Sequence, residues 1–193
     1  MSTASADPRE DHRIFIYRVN ADDEIVFVNS EWCAFAQENG AHTLNQESVF
    51  RRSLWDFVSN EETRHLFEVI VRKVRTDGTA KRVCYRCDAP ALRRFMVLEV
   101  SAAENGEVEF RSRILREEPR DSVRLMELDV ERSDELLGMC GWCKQIRLPD
   151  DRWVEVEAAV EELRLFDASI LPKLSHGICP PCLEAFDYDL EES

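Results

Sequence analysis

Apolar and polar residues alternate along the first hundred positions in a pattern that predicts strands and helices in one α+β domain. Two β-rich runs, 13–19 and 24–29, are separated by a short polar turn and predict a hairpin. Asn29 offers a helix N-cap directly after the second run, and Gly40 is typical of a helix end. A helix is therefore expected between these two residues.

A second set of elements follows. Residues 53–58 form a short apolar piece that predicts one helical turn, and Ser59 or Asn60 offers the cap of a longer helix ending at Asp77-Gly78. The three later runs of alternating residues predict three strands, with a tight hairpin turn at Asn105-Gly106. These strand candidates span residues 81–87, 93–102 and 107–116.

The pattern changes beyond Pro119. Residues 118–137 mix many charges with scattered leucines and are interpreted as a linker with some helix. Short strands are predicted at 145–148 and 153–156, on either side of a turn at Pro149, and a helix is predicted at 157–166. The acidic tail, 187–193, is expected to fray.

Two short cysteine pairs carry the strongest chemical signal. Cys140 and Cys143 form one C-x-x-C, and Cys179 and Cys182 form another. A two-residue spacer lets a tight turn aim two sulfurs at one point, and two such turns brought together give the four-thiolate tetrahedron that zinc favours. The sequence therefore predicts a closed, structural zinc site with four cysteine ligands, because four thiolates leave no position for a catalytic water. His176 is a candidate replacement ligand or a hydrogen-bond partner of the site.

A redox interpretation of the same residues stays open. The run Cys140-Gly-Trp-Cys143-Lys144 is similar to a thioredoxin-type active site, which needs a helix that begins at its first cysteine. A third C-x-x-C, Cys84 and Cys87, falls in a predicted strand. Residues three apart on a strand point to opposite faces, so packing and not metal binding is expected there. Cys33, on a helix, is expected to be a core thiol.

Composition restricts the partners. The formal net charge is −14, of which residues 1–117 carry −3 and residues 118–193 carry −11. Binding to nucleic acid needs clustered Lys and Arg, so nucleic acid is an unlikely partner. Seven cysteines, an N-terminal stretch (1–11) without an apolar core and the lack of any membrane-length apolar run indicate a reducing, cytoplasmic protein that does not span a membrane.

The order strand, strand, short helices, longer helix, three strands resembles a PAS sensor domain. The Val28-Asn29 end of the hairpin and the 53–58 turn are similar to PAS segments, and the segment from Tyr85 to Met96 is similar to the strand–loop–strand of a bacterial PAS subgroup. This resemblance implies a five-stranded antiparallel sheet with flanking helices. It also implies a role in sensing a small, unidentified ligand or in forming a dimer.

The C-terminal part resembles a cysteine-rich module, similar to a zinc ribbon, at the C-termini of bacterial PAS and response-regulator proteins. The shared residues are the first cysteine turn, the Arg152-Trp153-Val154 strand and the run Ser175-His176-Gly-Ile-Cys179-Pro-x-Cys182. Five regions are therefore expected. They are a disordered lead (1–11), a PAS-like sensor domain (12–117), a linker or helix (118–137), a zinc module (138–186) and an acidic tail (187–193).

A few other residues are of types that can bind a cofactor or an anion. His65 on the long helix is a conceivable haem ligand, although a lone helical histidine is usually structural. No flavin-attachment signature is present. Arg86, Asp88, Arg93 and Arg94 are expected to form a salt-bridged loop and not an anion site. No nucleotide-binding, metalloprotease or hydrolase motif occurs.

These features together predict a non-catalytic cytoplasmic signalling protein. Its PAS-like domain would sense a ligand or dimerise, and its zinc module would present an acidic surface to a protein partner. Two alternatives are a thiol redox switch or oxidoreductase that uses Cys140 and Cys143, and a transcriptional regulator whose zinc module binds DNA. The net charge argues against DNA binding.

Overall fold

The computed structural model describes residues 13–58 and 61–191, with side chains described up to residue 185. The expected lead (1–11), the candidate cap at Ser59 or Asn60 and the last two residues lie outside this part of the chain. No helix within the described ranges is long and apolar enough to cross a bilayer.

The first half is a five-stranded antiparallel sheet with strand order β2-β1-β5-β4-β3. Helices follow β2 and pack over one face of the sheet, as the sequence pattern predicts. The elements are β1 (Ile14–Val19), β2 (Ile25–Val28), α1 (Ser30–Glu38), α2 (Gln46–Val49), a 3-10 turn (Leu54–Phe57), α3 (Glu61–Asp77), β3 (Lys81–Arg86), β4 (Leu92–Ala102) and β5 (Val108–Pro119).

Asn29 connects the hairpin to the first helix. Its side-chain oxygen accepts hydrogen bonds from the backbone N–H groups of Trp32 (2.9 Å) and Ile16 (3.0 Å), and its amide donates to the carbonyl of Ile14 (2.7 Å). One side chain therefore caps α1 and bonds to the β1 backbone. This explains why the hairpin runs directly into a helix at this residue.

Helix α3 covers the inner face of the sheet. Its buried side chains are Leu66, Ile70, Val71 and Val74. They join the inward side chains of β1, β4 and β5 in one core cluster. Full burial of each such aliphatic side chain contributes about 1.5–3 kcal/mol to stability, so this face is a principal stabilising element of the domain.

The C-terminal part forms a second sheet with strand order β8-β7-β6-β9. Strands β6 and β9 run parallel, and they pair Gly138 with Ser175 and Cys140 with Gly177. Helix α4 packs beside β7. The elements are β6 (Arg132–Cys140), β7 (Ile146–Arg147), β8 (Trp153–Val154), α4 (Val156–Glu162), β9 (Leu171–Gly177) and α5 (Pro180–Glu191).

The segment predicted to be a linker with helix, 118–137, is different in the structure. It contains one 3-10 turn (Arg124–Met126) and most of strand β6, and Val123 and Leu125 lie in the core of the second sheet. The prediction was wrong because β6 is specified by its parallel partner β9, some forty residues later, which local sequence does not reveal. Helix α4 is also shorter than predicted, since Arg164 adopts a left-handed conformation (φ 54°).

Buried charges join the two parts. Asp88, whose side chain is fully buried, pairs with Arg86 and lies 3.4 Å from Arg120. The same arginines reach into the second part: Arg86 bonds both carboxylate oxygens of Glu155 (2.8 and 3.0 Å), and Arg120 bonds Glu157 (3.1 Å). The predicted salt-bridged loop is confirmed, and it extends to residues that the sequence did not connect with it.

We expect Asp88→Ala to lower the free energy of unfolding by about 3–5 kcal/mol, because it leaves two buried guanidinium groups without their shared carboxylate. Urea denaturation followed by circular dichroism measures this change. Glu38→Gln is the matched control, since Glu38 forms an exposed pair with Arg13 and should change stability little. Equal effects of the two substitutions would contradict a structural role for the buried network.

Candidate metal centre and ligand cavity

The first cysteine pair lies in a turn at the end of β6. The backbone N–H of Cys140 donates to the carbonyl of Gln145 (2.8 Å), and the N–H of Lys144 donates back to Cys140 (3.0 Å). Lys144 adopts a left-handed conformation (φ 65°), which closes the turn. Cys140 is buried, and Cys143 is partly exposed.

The second pair lies where β9 becomes α5. Cys179 is buried just before the helix, and Cys182 lies in its first turn after Pro180 and Pro181. Proline is favoured at a helix start, where its missing N–H has no partner to lose. The C-P-P-C sequence therefore serves as a helix-initiating turn that carries two sulfurs.

The pairing of β6 with β9 brings the two turns together. Because the strands are parallel, their ends lie side by side, and the N–H of Gly141 donates to the carbonyl of Gly177 (2.8 Å). A side chain at position 141 would lie 3.3 Å from the hydroxyl of Thr63, so glycine permits this close approach.

The four predicted cysteines converge. The Sγ atoms of Cys140, Cys143, Cys179 and Cys182 all lie within 4.8 Å of one another, and the Cys143–Cys179 pair is 3.6 Å apart. Zinc–sulfur bonds of about 2.3 Å in a tetrahedron require sulfurs about 3.8 Å apart. The donor set and the spacing therefore fit a tetrahedral thiolate metal site. No other group of possible ligands was found among the described residues.

The environment favours negative charge on this cluster. The neighbouring thiols of Cys143 and Cys182, and the backbone N–H groups of residues 143 and 179, lower the pKa of Cys140 strongly. Interaction with Cys140 raises the pKa of Cys143 to about 12, and the pKa of Cys182 is also raised. Because the pKa values of Cys143 and Cys182 are raised, a metal that binds these thiols must displace their protons.

His176 lies outside the four-sulfur cluster. It is on β9, exposed, opposite Met139 in the sheet. Although the residue as a whole is exposed, partial desolvation of its imidazole and the charge of Lys144 lower its pKa. The structure therefore brings together the four sulfurs without this histidine.

A cavity of about 310 Å³ lies between the inner face of the first sheet, α1, α3 and the first cysteine turn. Seven of its fifteen lining residues are aromatic, and the hydroxyl groups of Tyr85 and Ser112 are hydrogen-bonded to each other at 3.2 Å. The aromatic residues of the wall are Phe15, Tyr17, Trp32, Phe35, Phe67, Tyr85 and Trp142.

The remaining candidate residues, His65 and three further cysteines, lie outside the cluster of four sulfurs. His65 is exposed on α3 and does not line the cavity, which gives no support to a haem role. Cys87 lines the cavity, whereas Cys84 lines a shallow groove outside it, so the two lie on opposite sides as predicted. Cys33 packs against the core as expected.

Comparison with known proteins gives fold-level likeness only. No family model and no curated protein matches the chain. A sensory box sensor histidine kinase from Vibrio cholerae is 16% identical, with a TM-score of 0.39, over 54% of this chain and 84% of its own. A PAS domain of an HTR-like protein from Haloarcula marismortui is 18% identical, with a TM-score of 0.35, over 55% and 84%.

A further domain of an HTR-like protein from the same organism is 17% identical, with a TM-score of 0.35, over 53% of this chain and 98% of its own. Residues 14–119 are PAS-like. The order of the elements and the β2-β1-β5-β4-β3 sheet support this description, and they agree with the fold class predicted from the sequence.

The sequence interpretation missed the role of Trp142. This residue was noted only as the spacer of a cysteine pair, yet it is buried in the core of the PAS-like part and stacks on Phe67 with ring centres 5.6 Å apart. The available signal was a large aromatic residue inside a C-x-x-C turn, because burying an indole removes much apolar surface from water.

We expect cobalt(II) added to the metal-free chain to give the intense d–d absorption of tetrahedral thiolate coordination. Loss of a hydrogen bond to a metal ligand weakens metal binding by roughly 10–100-fold. Cys179→Ser removes a ligand itself and should therefore weaken metal binding by more than this. Cys33→Ser is the matched control and should leave the spectrum unchanged. Octahedral cobalt spectra in the native chain would show that the four sulfurs do not bind a metal together.

We also expect zinc binding to release protons, because the pKa values of the Cys143 and Cys182 thiols are raised and a metal binds the deprotonated thiolates. Metal affinity should therefore be retained at high pH and lost as the pH falls. A pH-indicator dye in weakly buffered solution measures the release. Uptake of zinc with no release of protons would contradict this ionisation state.

Proposed function

We propose that this chain is a non-catalytic signalling protein in which a PAS-like sensor domain (12–117) is joined to a C-terminal module held by a structural zinc ion. The ligands would be Cys140, Cys143, Cys179 and Cys182. The observation that carries this proposal is the convergence of four sulfurs, from turns about forty residues apart, on one point. Four thiolates fill a tetrahedral sphere, which suits a structural site and not a catalytic one.

The size of the second part supports a structural role for the metal. Its core comprises ten buried residues around two short strands, a seven-residue helix and the β6–β9 pair. A core of this size provides little stability alone, so metal binding would supply much of its folding free energy.

The sensor role is supported by the cavity. Nearly half of its lining residues are aromatic, its size suits a small molecule, and it lies between the PAS-like part and the first cysteine turn. A ligand in this cavity is part of the proposed function and is not taken from the solved structures compared above.

A protein partner is supported by the surface of the C-terminal part. It carries most of the net negative charge, and large apolar side chains are exposed among those charges. The exposed residues there are Leu128, Leu136, Phe166, Ile170 and Leu183. An excess of negative charge around apolar side chains favours a basic protein surface as partner, whereas nucleic acid would be repelled. Dimerisation through the PAS-like part is the other mode of association that the fold suggests.

The oxidoreductase alternative is not favoured by the local geometry. A thioredoxin-type site needs a helix that begins at its first cysteine, whereas Cys140 ends strand β6 and is followed by a turn. Cys143 also lies 3.6 Å from Cys179, in the other pair. Oxidation that releases the metal stays compatible with the four-sulfur arrangement.

Native mass spectrometry of chain purified without chelator should show one zinc per chain. A thiol reagent should then modify only Cys33, Cys84 and Cys87, and all seven cysteines after zinc is removed. Hydrogen exchange should rise first in β6 and β9 when a chelator is added, because the metal holds the ends of both strands. A folded chain without zinc, with four reactive thiols at these positions, would defeat the proposal.

A further inference from the structure

The first cysteine turn is also part of the cavity wall. Gly141, Trp142 and Lys144 line the cavity together with residues of the PAS-like part. Trp142 is buried, stacks on Phe67 and meets Tyr85 edge to face, with ring centres 6.5 Å apart. The same five-residue turn therefore carries two candidate metal ligands and one face of the cavity.

This turn is tightly attached to the PAS-like part. The N–H of Arg86, the last residue of β3, donates to the carbonyl of Trp142 (2.7 Å). On the second turn, the N–H of Ile178 donates to the carboxylate of Glu62 on α3 (3.2 Å). Because Trp142 lies between Cys140 and Cys143 in the sequence, a shift of the turn's backbone moves the indole and both sulfurs together.

The cavity wall indicates the chemistry of its ligand. Burial raises the pKa of Tyr17 and raises that of Tyr85 to about 12, so both phenols stay neutral. The two cationic residues of the wall have partners: Arg86 pairs with Asp88 and Glu155, and the ammonium group of Lys144 donates to the carbonyl of Gly141 (2.7 Å). A flat, uncharged aromatic molecule with one hydrogen-bonding group matches stacked aromatic walls and neutral hydroxyl groups, whereas an ionised group would lose its hydration.

We propose that a metal on the four cysteines and a small uncharged aromatic molecule in the cavity bind cooperatively, and that Trp142 links the two sites. This inference rests on the proposed function, since it requires both the metal and the cavity ligand. The metal holds the turn, and the turn holds the indole in the wall on which the ligand stacks. Each ligand therefore lowers the cost of ordering the turn for the other.

Because coupling between two binding sites is reciprocal, the effect of a cavity ligand on the rate of zinc loss tests the proposal. Indole serves as the probe, because it is planar, uncharged and carries one N–H donor. Calorimetry measures its affinity for the zinc-loaded chain, and a chromogenic chelator measures the rate of zinc loss with and without indole. We expect indole to slow zinc loss by about 5-fold or more, within the usual range of coupling between sites.

A pair of matched variants isolates the linking residue. Trp142→Leu should keep one zinc per chain but abolish the effect of indole on zinc loss. Trp55→Leu is the control and should keep the effect, because Trp55 lies outside the cavity and its indole N–H donates to Asp23 (2.9 Å). If the Trp142 variant does not fold, the measurement on the native chain still decides the proposal.

The outcomes separate the two proposals. Unchanged zinc loss at saturating indole, in a chain that binds both, would overturn the coupling and leave the structural zinc intact. No binding of indole, or binding of benzoate as tight as that of indole, would overturn the ligand class, since the buried wall should weaken the charged molecule by roughly 10-fold or more. A chain without zinc would defeat the proposed function itself.

Discussion

The parallel pairing of β6 with β9 is the interaction on which the C-terminal half depends. It sets Cys140 opposite Gly177 and thereby places two cysteine turns beside each other. The backbone bond from Gly141 to Gly177 then fixes their spacing, and the sulfurs converge as a consequence. Without this pairing each C-x-x-C would offer only two ligands, which is too few for a closed tetrahedral site.

The first cysteine turn connects that half to the PAS-like half. Trp142 enters the core between α3 and β3, and buried arginines of the first half bond to carboxylates of the second. The two halves therefore share a hydrophobic contact and a charge network. Such an arrangement allows a change in the cavity to reach the metal turn through direct contacts, without a flexible connector.

Much of the first half was predictable because its signals are local. The period of two in the strands, the cap at Asn29 and the stop at Gly40 each depend on a few neighbouring residues, and the structure confirms all of them. The order of these elements then restricted the fold to a PAS-like sheet. The 118–137 segment was misassigned because its strand is stabilised by a distant partner and its buried residues belong to a core that forms only after folding.

The amino-acid sequence by itself determined the element order of residues 13–119, the acidic character of the C-terminal part and which four cysteines are the candidate ligands. Tertiary structure alone decided that β6 and β9 pair in parallel, that His176 lies apart from the sulfurs and that Trp142 closes the cavity. The physical reason is distance along the chain. Spacing within a turn follows from covalent geometry, whereas contacts between residues forty or more positions apart depend on how the sheets pack.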